Sequence, residues 1–288
     1  MKAKIILAIL ILSLATMACG FSVDLPGGPK TGPEVKDSIT VAYPRPALSG
    51  GEVSDQTHLS LSFGAGKLTL SPGAKSLVDG TAVYNVEDLK PQIIENGDNI
   101  EIKQGDFKSL PPFKDLKNEW NLKLGNTPMD LVISAGAYDG TLELGGLSLK
   151  SLEVKDGASN VDLSFSKPNL IEMSILRYST GASDVKLSKL ANANFSTLTF
   201  SGGAGNYTLD FSGELQRNAV VTVDSGLGNL TLIIPENVNA KVTVESTAVN
   251  INHGSGWSQN GKDYVQKGDG PSLTIVVKIA AGNLLIND

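Results

Sequence analysis

Four copies of one phrase decide the fold of this chain: Gly157-Ala-Ser-Asn-Val-Asp-Leu, Gly181-Ala-Ser-Asp-Val-Lys-Leu, Gly203-Ala-Gly-Asn-Tyr-Thr-Leu and Gly226-Leu-Gly-Asn-Leu-Thr-Leu. The first glycines of successive copies lie 24, 22 and 23 residues apart. A fixed period in the twenties is typical of stacked repeat proteins, in which each repeat contacts only its neighbours. The pattern predicts a stack of equivalent coils and favours a binding or scaffold role over one unique catalytic site.

Apolar and polar residues alternate on both sides of each phrase. Leu198 and Phe200 precede Gly203, and Tyr207 and Leu209 follow it. Alternate side chains of a strand point to one face, so each repeat offers an apolar row that is buried only when repeats stack. We see no helical periodicity outside the N-terminal apolar run. We therefore predict an all-β fold, a right-handed, parallel β-solenoid-like stack of short strands.

The glycines are expected at bends between the two strands of a repeat, where glycine allows positive φ and close backbone approach. One register just before the apolar-polar-apolar triplet holds only asparagine or aspartate: Asn160, Asp184, Asn206, Asn229 and Asn283. Stacked about 4.8 Å apart, these side chains would form an amide ladder or tolerate the left-handed conformation. A calcium-binding ladder is the functional alternative, but one oxygen per rung is few for a cation that takes about six to eight. We expect no metal and no cofactor.

Two sequence signals predict hairpins outside the regular array. Asn96-Gly97-Asp98-Asn99 is a tight-turn signal between two strand-like segments. A looser copy of the phrase, residues 244–251, has lost its glycines, and a last copy closes the chain at residues 280–286. Between these copies, residues 252–270 are predicted to form a hairpin excursion that turns at Asn260-Gly261.

Two aromatic residues of this excursion, Trp257 and Tyr264, are candidate functional residues. An exposed pair of such rings can stack on a sugar or dock a protein. Alternatively, the rings cap the end of the hydrophobic stack, as a repeat array needs for solubility. The sequence favours the cap and keeps a binding surface at Trp257 and Tyr264 as the second interpretation.

The first residues of the chain have the composition of an export signal. Lys2 and Lys4 precede an apolar run at residues 5–14, which is shorter than the ~20 residues of a membrane span. Small residues then lead to Cys19, the only cysteine, in a segment that resembles a lipobox except that Thr16 stands where Leu is usual. We predict a lipoprotein-type signal peptide over residues 1–18 and lipid attachment at Cys19, which would anchor an extracytoplasmic body to a bacterial membrane. Secretion with an unmodified cysteine is the alternative.

The chain after the signal divides into two parts by composition. Residues 19–55 are rich in glycine, proline and charge, and their one apolar run, residues 39–43, is too short to close a core. We predict a flexible tether there. The folded body is assigned to residues 56–288 as one β-solenoid domain.

Charge and histidine content exclude several functional classes. The formal charge is −6, and it becomes −8 when residues 1–18 are removed with two lysines and no acid. A mildly acidic body without a Lys/Arg cluster argues against nucleic acid as a partner. His58 and His253 are the only histidines and lie far apart, which disfavours a catalytic triad or a zinc site.

The stretch from Leu144 to Leu163, LGGLSLKSLEVKDGASNVDL, resembles the toast-rack domains of bacterial envelope proteins. These include the C-terminal region of LiaF-like regulators and domains that carry the name "putative adhesin". The segment from Gly64 to Leu70, GAGKLTL, is similar to their N-terminal portion. The resemblance covers roughly residues 57–288 and implies a rack-like stack of β-strands with no catalytic residues to carry over.

Polysaccharide cleavage is the enzymatic rival, and it needs two carboxylates about 5–10 Å apart. Glu143, Glu153 and Asp162 are the candidates, although such residues usually solvate the outer face of an acidic chain. We therefore expect no enzyme, but a lipid-anchored cell-envelope binding, scaffold or stress-sensing module. Its partner would be an envelope protein or cell-wall glycan. A surface adhesin or carbohydrate-binding module is the alternative.

Overall fold

The computed structural model describes residues 31–43, 57–105, 116–246 and 248–287. These residues form β-strands and two short 3-10 helices, Glu87–Leu89 and Leu190–Ala193, which confirms the all-β prediction. The strands are β1 (Val35–Val41), β2 (Thr57–Pro72), β3 (Val78–Tyr84), β4 (Pro91–Asn96), β5 (Asn99–Gln104), β6 (Asn118–Leu124), β7 (Met129–Glu143), β8 (Leu149–Lys155), β9 (Ala158–Ser164), β10 (Met173–Ser188), β11 (Phe195–Asp210), β12 (Ala219–Ile233), β13 (Asn239–Val244), β14 (Val249–His253), β15 (Ser258–Asn260), β16 (Asp263–Gln266) and β17 (Ser272–Asn287).

Each full rung of the stack is one long strand that bends at its glycine phrase. Strand β11 runs without a break from Phe195 to Asp210, with Gly203 at its middle, whereas β8 and β9 form a rung in two pieces. Parallel pairing joins the rungs in the order β2, β7, β8 with β9, β10, β11, β12 and β17. The strand parts before the bend form the first half of the stack, and those after it form the second half.

The two halves share one core. Phe200 and Tyr207 lie on either side of the bend of β11, and their rings meet edge to face with centroids 5.0 Å apart. Tyr178 of the preceding rung stacks on Phe200 at 5.6 Å. The alternating apolar residues of both halves are almost fully buried in a single hydrophobic cluster. Burial of this continuous row, which no single rung achieves alone, is the main source of stability of the stack.

The first glycine of each phrase is required for a reason different from the expected one. Gly203 and Gly226 do not have positive φ. Instead, a Cβ at Gly203 would lie 2.4 Å from the carbonyl oxygen of Gly181, and one at Gly226 would lie 2.4 Å from that of Gly203. Positive φ occurs two residues later, at Gly228 (138°) and its neighbour Gly282 (143°). Close backbone approach therefore excludes side chains at Gly203 and Gly226.

Strand β17 enters the stack out of chain order. It pairs in parallel with β12 on one side and with β13 and β14 on the other. The last copy of the phrase thus lies directly beside the copy at Gly226, with Gly282 opposite Gly228 and Asn283 opposite Asn229. The looser copy without glycines, β13 and β14, forms the terminal rung.

Antiparallel strands close most of the sheet ends. At the N-terminal end, β4 covers β5 in the first half, and β3 followed by β1 covers β6 in the second half. At the C-terminal end, β16 followed by β15 covers β13. Both hairpin turns were predicted correctly: Gly97 joins β4 to β5 and Gly261 joins β15 to β16, each at φ near 60°.

Strand β1 corrects the predicted extent of the tether. Val35–Val41 lies within residues 19–55, yet it pairs with β3, and Ile39 and Val41 are buried in the core. Two apolar residues on one face suffice here because the strand extends an existing sheet and needs no core of its own. The signal peptide over residues 1–18, Cys19 and most of the remaining tether lie outside the described residues.

Candidate binding surface

The predicted register of asparagines forms a hydrogen-bonded ladder on the outer face of the second half. Nδ2 of Asn206 donates to Oδ1 of Asp184 at 2.7 Å, Asn229 donates to Asn206 at 2.8 Å, and Asn283 donates to Asn229 at 2.7 Å. Asn250 of the terminal rung donates to Asn283 at 3.4 Å. These residues do not adopt the left-handed conformation. Of the two sequence-based interpretations, the amide ladder is therefore confirmed for Asp184, Asn206, Asn229 and Asn283, whereas the predicted member Asn160 takes no part in these bonds.

A second row of outward side chains runs beside the ladder, two residues further along each strand. On the last four rungs these two rows contain only amide, hydroxyl and one aliphatic side chain, and we call them the amide face: Asn206, Thr208, Asn229, Thr231, Asn283, Leu285, Asn250 and Asn252. The asparagines and Leu285 are exposed, and the threonines are partly buried. Because a ladder amide spends one N–H and one lone pair on its neighbours, it keeps one of each for a ligand.

Charged side chains border the amide face on one side. Asp184 and Lys186 occupy the same two rows on β10, and Asp162 follows on β9. The face itself is neutral, although 19% of the residues of the chain are charged. It therefore presents a flat, uncharged surface whose hydrogen-bonding groups are already held in place. Sequence analysis found the ladder but missed the neighbouring row, whose Asn-x-Thr-Leu signal looks like ordinary strand alternation.

Two of the three candidate carboxylates of a polysaccharide-cleaving enzyme, Glu143 and Asp162, are diagonal neighbours on paired strands, and the third, Glu153, lies apart from them. Glu143 ends the second half of β7, Asp162 lies two residues before its partner position on β9, and Glu153 lies in the first half, on β8. Glu153 forms an ion pair with Lys155 at 2.8 Å.

Glu143 is held by four hydrogen bonds. Its carboxylate accepts from the backbone N–H of Gly145 and Ser166 and from the hydroxyls of Ser164 and Ser166, at 2.6–3.0 Å. Partial burial raises the pKa of Glu143, but these four donors outweigh it and hold the pKa below its ordinary value. The carboxylate is thus stabilised in its charged form, which suits a structural clamp between β7 and β9 and not a general acid.

An open groove of 660 Å³ lies at the bend of the N-terminal rungs. Its wall includes Gly64, Gly157, Lys155 and Asp156. Asp156 accepts hydrogen bonds from Tyr178 at 2.7 Å and from the hydroxyl of Thr180. Burial raises the pKa of Tyr178, so the tyrosine stays protonated and donates. The groove has room for a small polar ligand. Sequence analysis did not find the groove, although glycines without side chains, such as Gly64 and Gly157, line it at the bends.

The two histidines lie at opposite ends of the stack. His58 Nδ1 lies 3.1 Å from Oδ2 of Asp130, whose other oxygen accepts from Ser151 at 2.5 Å. His253, at the end of β14, meets the ring of Tyr264 with centroids 5.3 Å apart. Among the described residues, no three His, Cys, Asp or Glu side chains are grouped to hold a metal ion.

Trp257 and Tyr264 do not form the exposed binding surface that was one interpretation of the sequence. Their exposed fractions are 5% and 4%, and both belong to the hydrophobic core. Trp257 directly precedes β15, and Tyr264 lies on β16, which pairs with β13 of the terminal rung. This position agrees with the favoured interpretation, a cap.

Comparison with known proteins finds one family match and several similar solved structures. The family model of the N-terminal domain of toast_rack matches residues 31–175 and 168–233. The chain is similar to a "putative cell adhesion protein" from Clostridium sporogenes, with 22% identity, a TM-score of 0.49, and coverage of 88% of this chain and 99% of that one. It is also similar to a "putative adhesin" from Bacteroides fragilis, with 9% identity, a TM-score of 0.39, and coverage of 88% and 97%.

A third similar structure is a "putative lipid binding protein" from Parabacteroides distasonis, with 10% identity, a TM-score of 0.32, and coverage of 88% of this chain and 97% of that one. No curated protein matches the sequence. Within the described part of the chain, no helix has the length and apolar character needed to span a membrane.

Proposed function

The chain belongs to the toast-rack family, and on that premise we propose that it is a non-enzymatic binding module of the bacterial cell envelope. Cys19 carries the lipid that holds the module to the membrane, and the stack is exposed outside the cytoplasm. The partner is bound on the amide face. Lys2, Lys4 and the apolar run before Cys19 support the export and the anchor.

The ladder of Asn206, Asn229 and Asn283 is the single observation that carries this proposal. Its hydrogen bonds fix neutral donors and acceptors at the spacing of the strands, about 4.8 Å, over several rungs. Such preorganisation lowers the entropy lost on binding a repetitive polar ligand. Because the face is uncharged and rich in amide and hydroxyl groups, cell-wall glycan is the partner that its chemistry favours.

The hydrogen bonds of Glu143 and the ion pair of Glu153 support a binding role over catalysis. Glu143 clamps two strands in its charged form, and Glu153 is paired with Lys155. A glycoside hydrolase of the usual type needs one carboxyl group that holds a proton near neutral pH and a second one near it. We propose that these side chains serve the stack and its solvation.

We also propose that the coil is right-handed. Connections between parallel strands of one sheet are right-handed in about 98% of known cases. The links from β10 to β11 and from β11 to β12 join parallel neighbours in register, so this preference applies to them.

The experiment is co-sedimentation of purified protein with insoluble cell-wall glycan. Thr231 and Thr222 both point outward from β12, one on the amide face and one on the first half. We expect Thr231→Lys to weaken binding at least tenfold, because it places a solvated charge among the ladder amides, and Thr222→Lys to bind as the wild type does. Equal binding by both variants, or no binding by the wild type, would refute the amide face as the site.

Membrane anchoring is tested separately in intact cells. We expect Cys19→Ala to move the protein from the membrane fraction to the soluble fraction and to abolish labelling with a fatty-acid probe. Cross-linking of the wild type and of Cys19→Ala then identifies envelope proteins that depend on the anchor. A Cys19→Ala protein that stays membrane-bound and labelled would contradict lipidation at this residue.

A further inference from the structure

The parallel stack ends in four strands, β5, β6, β13 and β14. Within the described part of the chain, β14 is the one of these four to which no antiparallel strand is added. The other three ends are closed by antiparallel strands: β4, β1 with β3, and β15 with β16. Among the described residues, strand β14 pairs with β17 alone. Every second backbone N–H and C=O of Val249–His253 therefore points away from the stack on the outer side.

Strand β14 also lacks the residues that protect natural sheet edges. Proline, charged side chains and short length discourage pairing with another chain. Strand β4 begins at Pro91 and carries Glu95, β1 carries Lys36 and Asp37, and β15 has three residues. The sequence of β14 is Val-Asn-Ile-Asn-His, with neither proline nor an acid or lysine.

The side chains of β14 are those of an interior rung. Asn250 donates to Asn283 in the direction of the stack, so its Oδ1 is left as the acceptor that a further rung would use. On the inner face, Ile251 is only partly buried, whereas Leu284, its partner on β17, is fully buried. At β14, therefore, both the ladder and the apolar row have room for one more strand. Contact between His253 and Tyr264 holds the end of this strand in place.

We propose that the β14 edge accepts an extended segment of a partner protein as an added parallel strand. The segment is neutral, places a side-chain donor such as asparagine opposite Asn250, and places an apolar residue opposite Ile251. Strand addition of this kind draws its affinity from main-chain hydrogen bonds and its selectivity from alternate side chains. The chain shows what such a segment looks like, because Asn283 and Leu284 of β17 fill these two positions on the other side of β14.

The experiment uses the mature full chain and a fluorescent peptide with the sequence of residues 226–233, GLGNLTLI, on a solubilising tail. We expect saturable binding by fluorescence anisotropy, at least tenfold weaker when alternate peptide amides are N-methylated. Asn250→Lys should weaken it by a similar factor, because a charge is placed beside the edge. Thr40→Lys, at the opposite edge on β1, is the matched control and should bind normally.

Three results would overturn the proposal. These are absence of saturable binding to the wild type, equal binding of the N-methylated peptide, and a wild-type dimer in sedimentation that Asn250→Lys dissociates. The last result would show that a second copy of the chain occupies the edge. Thr231→Lys should still bind the peptide, so loss of glycan binding and loss of strand addition are distinguishable.

Discussion

Gly228 combines the two demands that the bends place on single residues. Its φ is 138°, and a Cβ there would lie 1.8 Å from the carbonyl oxygen of Gly205. We expect Gly228→Ala to destabilise the protein by roughly 3 kcal/mol or more, because strain and a backbone clash add. Gly97→Ala is the control, since φ is 61° there and a Cβ would meet open space; it should cost about 1 kcal/mol. Urea denaturation measures both, and equal losses would contradict the role of close approach.

The lowered pKa of Glu143 predicts how the free energy of unfolding changes with pH. Its pKa is depressed in the folded state, so its contribution is present above the unfolded-state pKa, about 4.3, and is lost as pH falls through the folded-state pKa. We expect Glu143→Gln to be less stable than the wild type at pH 7, because four donors then face a neutral amide. The difference should shrink below pH 4. Denaturation midpoints at pH 7, 5 and 3.5 test this, and a constant difference would show that the carboxylate charge is unimportant.

The ladder is the element that links side chains across rungs, and its interior should matter more than its end. Asn229 donates to Asn206 and accepts from Asn283, whereas Asn250 makes one bond of 3.4 Å. We expect Asn229→Ala to lower the free energy of unfolding by about 1 kcal/mol, and Asn250→Ala by a few tenths. Chemical denaturation of the two variants measures the difference. A larger loss for Asn250→Ala would contradict the ladder as a stabilising element.

At the same scale, the repeated phrase predicted the asparagine register correctly but not the place of β17. The glycines indicate which rungs are neighbours even where those rungs do not follow one another along the chain. A Cβ at Gly282 would lie 1.7 Å from the carbonyl oxygen of Gly228, so these two glycines must be neighbours. The copy at residues 244–251 has no glycine, and it forms the terminal rung. The tether over residues 19–55 was drawn too long because two apolar residues, Ile39 and Val41, are too few to mark a strand that joins an existing sheet.

One of the two rows of the amide face, the ladder, was predictable from the sequence, and the other row was not, for a similar reason. Asparagine at a fixed period marks the ladder, but the neighbouring row is mixed, with Thr208 and Thr231 followed by Leu285 and Asn252. Their membership of one surface depends on which rungs are adjacent, and that follows from the insertion of β17. Burial of Trp257 likewise depends on where the hairpin of β15 and β16 folds, a tertiary property that local alternation does not contain.

For the whole molecule, the order of rungs predicts that the two ends can lose structure separately. Trp120 is buried in β6 at the N-terminal end, and Trp257 is buried in the cap at the C-terminal end. Strands β13 and β14 depend on β17, while β2 to β12 pair among themselves. Each rung of such a stack is stabilised by its neighbours and not by distant rungs.

Deleting residues 272–288 should therefore expose Trp257 and leave Trp120 buried. Because Trp120 and Trp257 are the only tryptophans, Trp120→Phe and Trp257→Phe each leave one fluorescent reporter. We expect the deletion to shift the emission of Trp257 to longer wavelength in the Trp120→Phe background and to leave that of Trp120 unchanged in the other. The two full-length single-tryptophan variants are the controls. If both reporters shift together, the stack unfolds as one cooperative unit, and its stability is not the sum of neighbouring rungs.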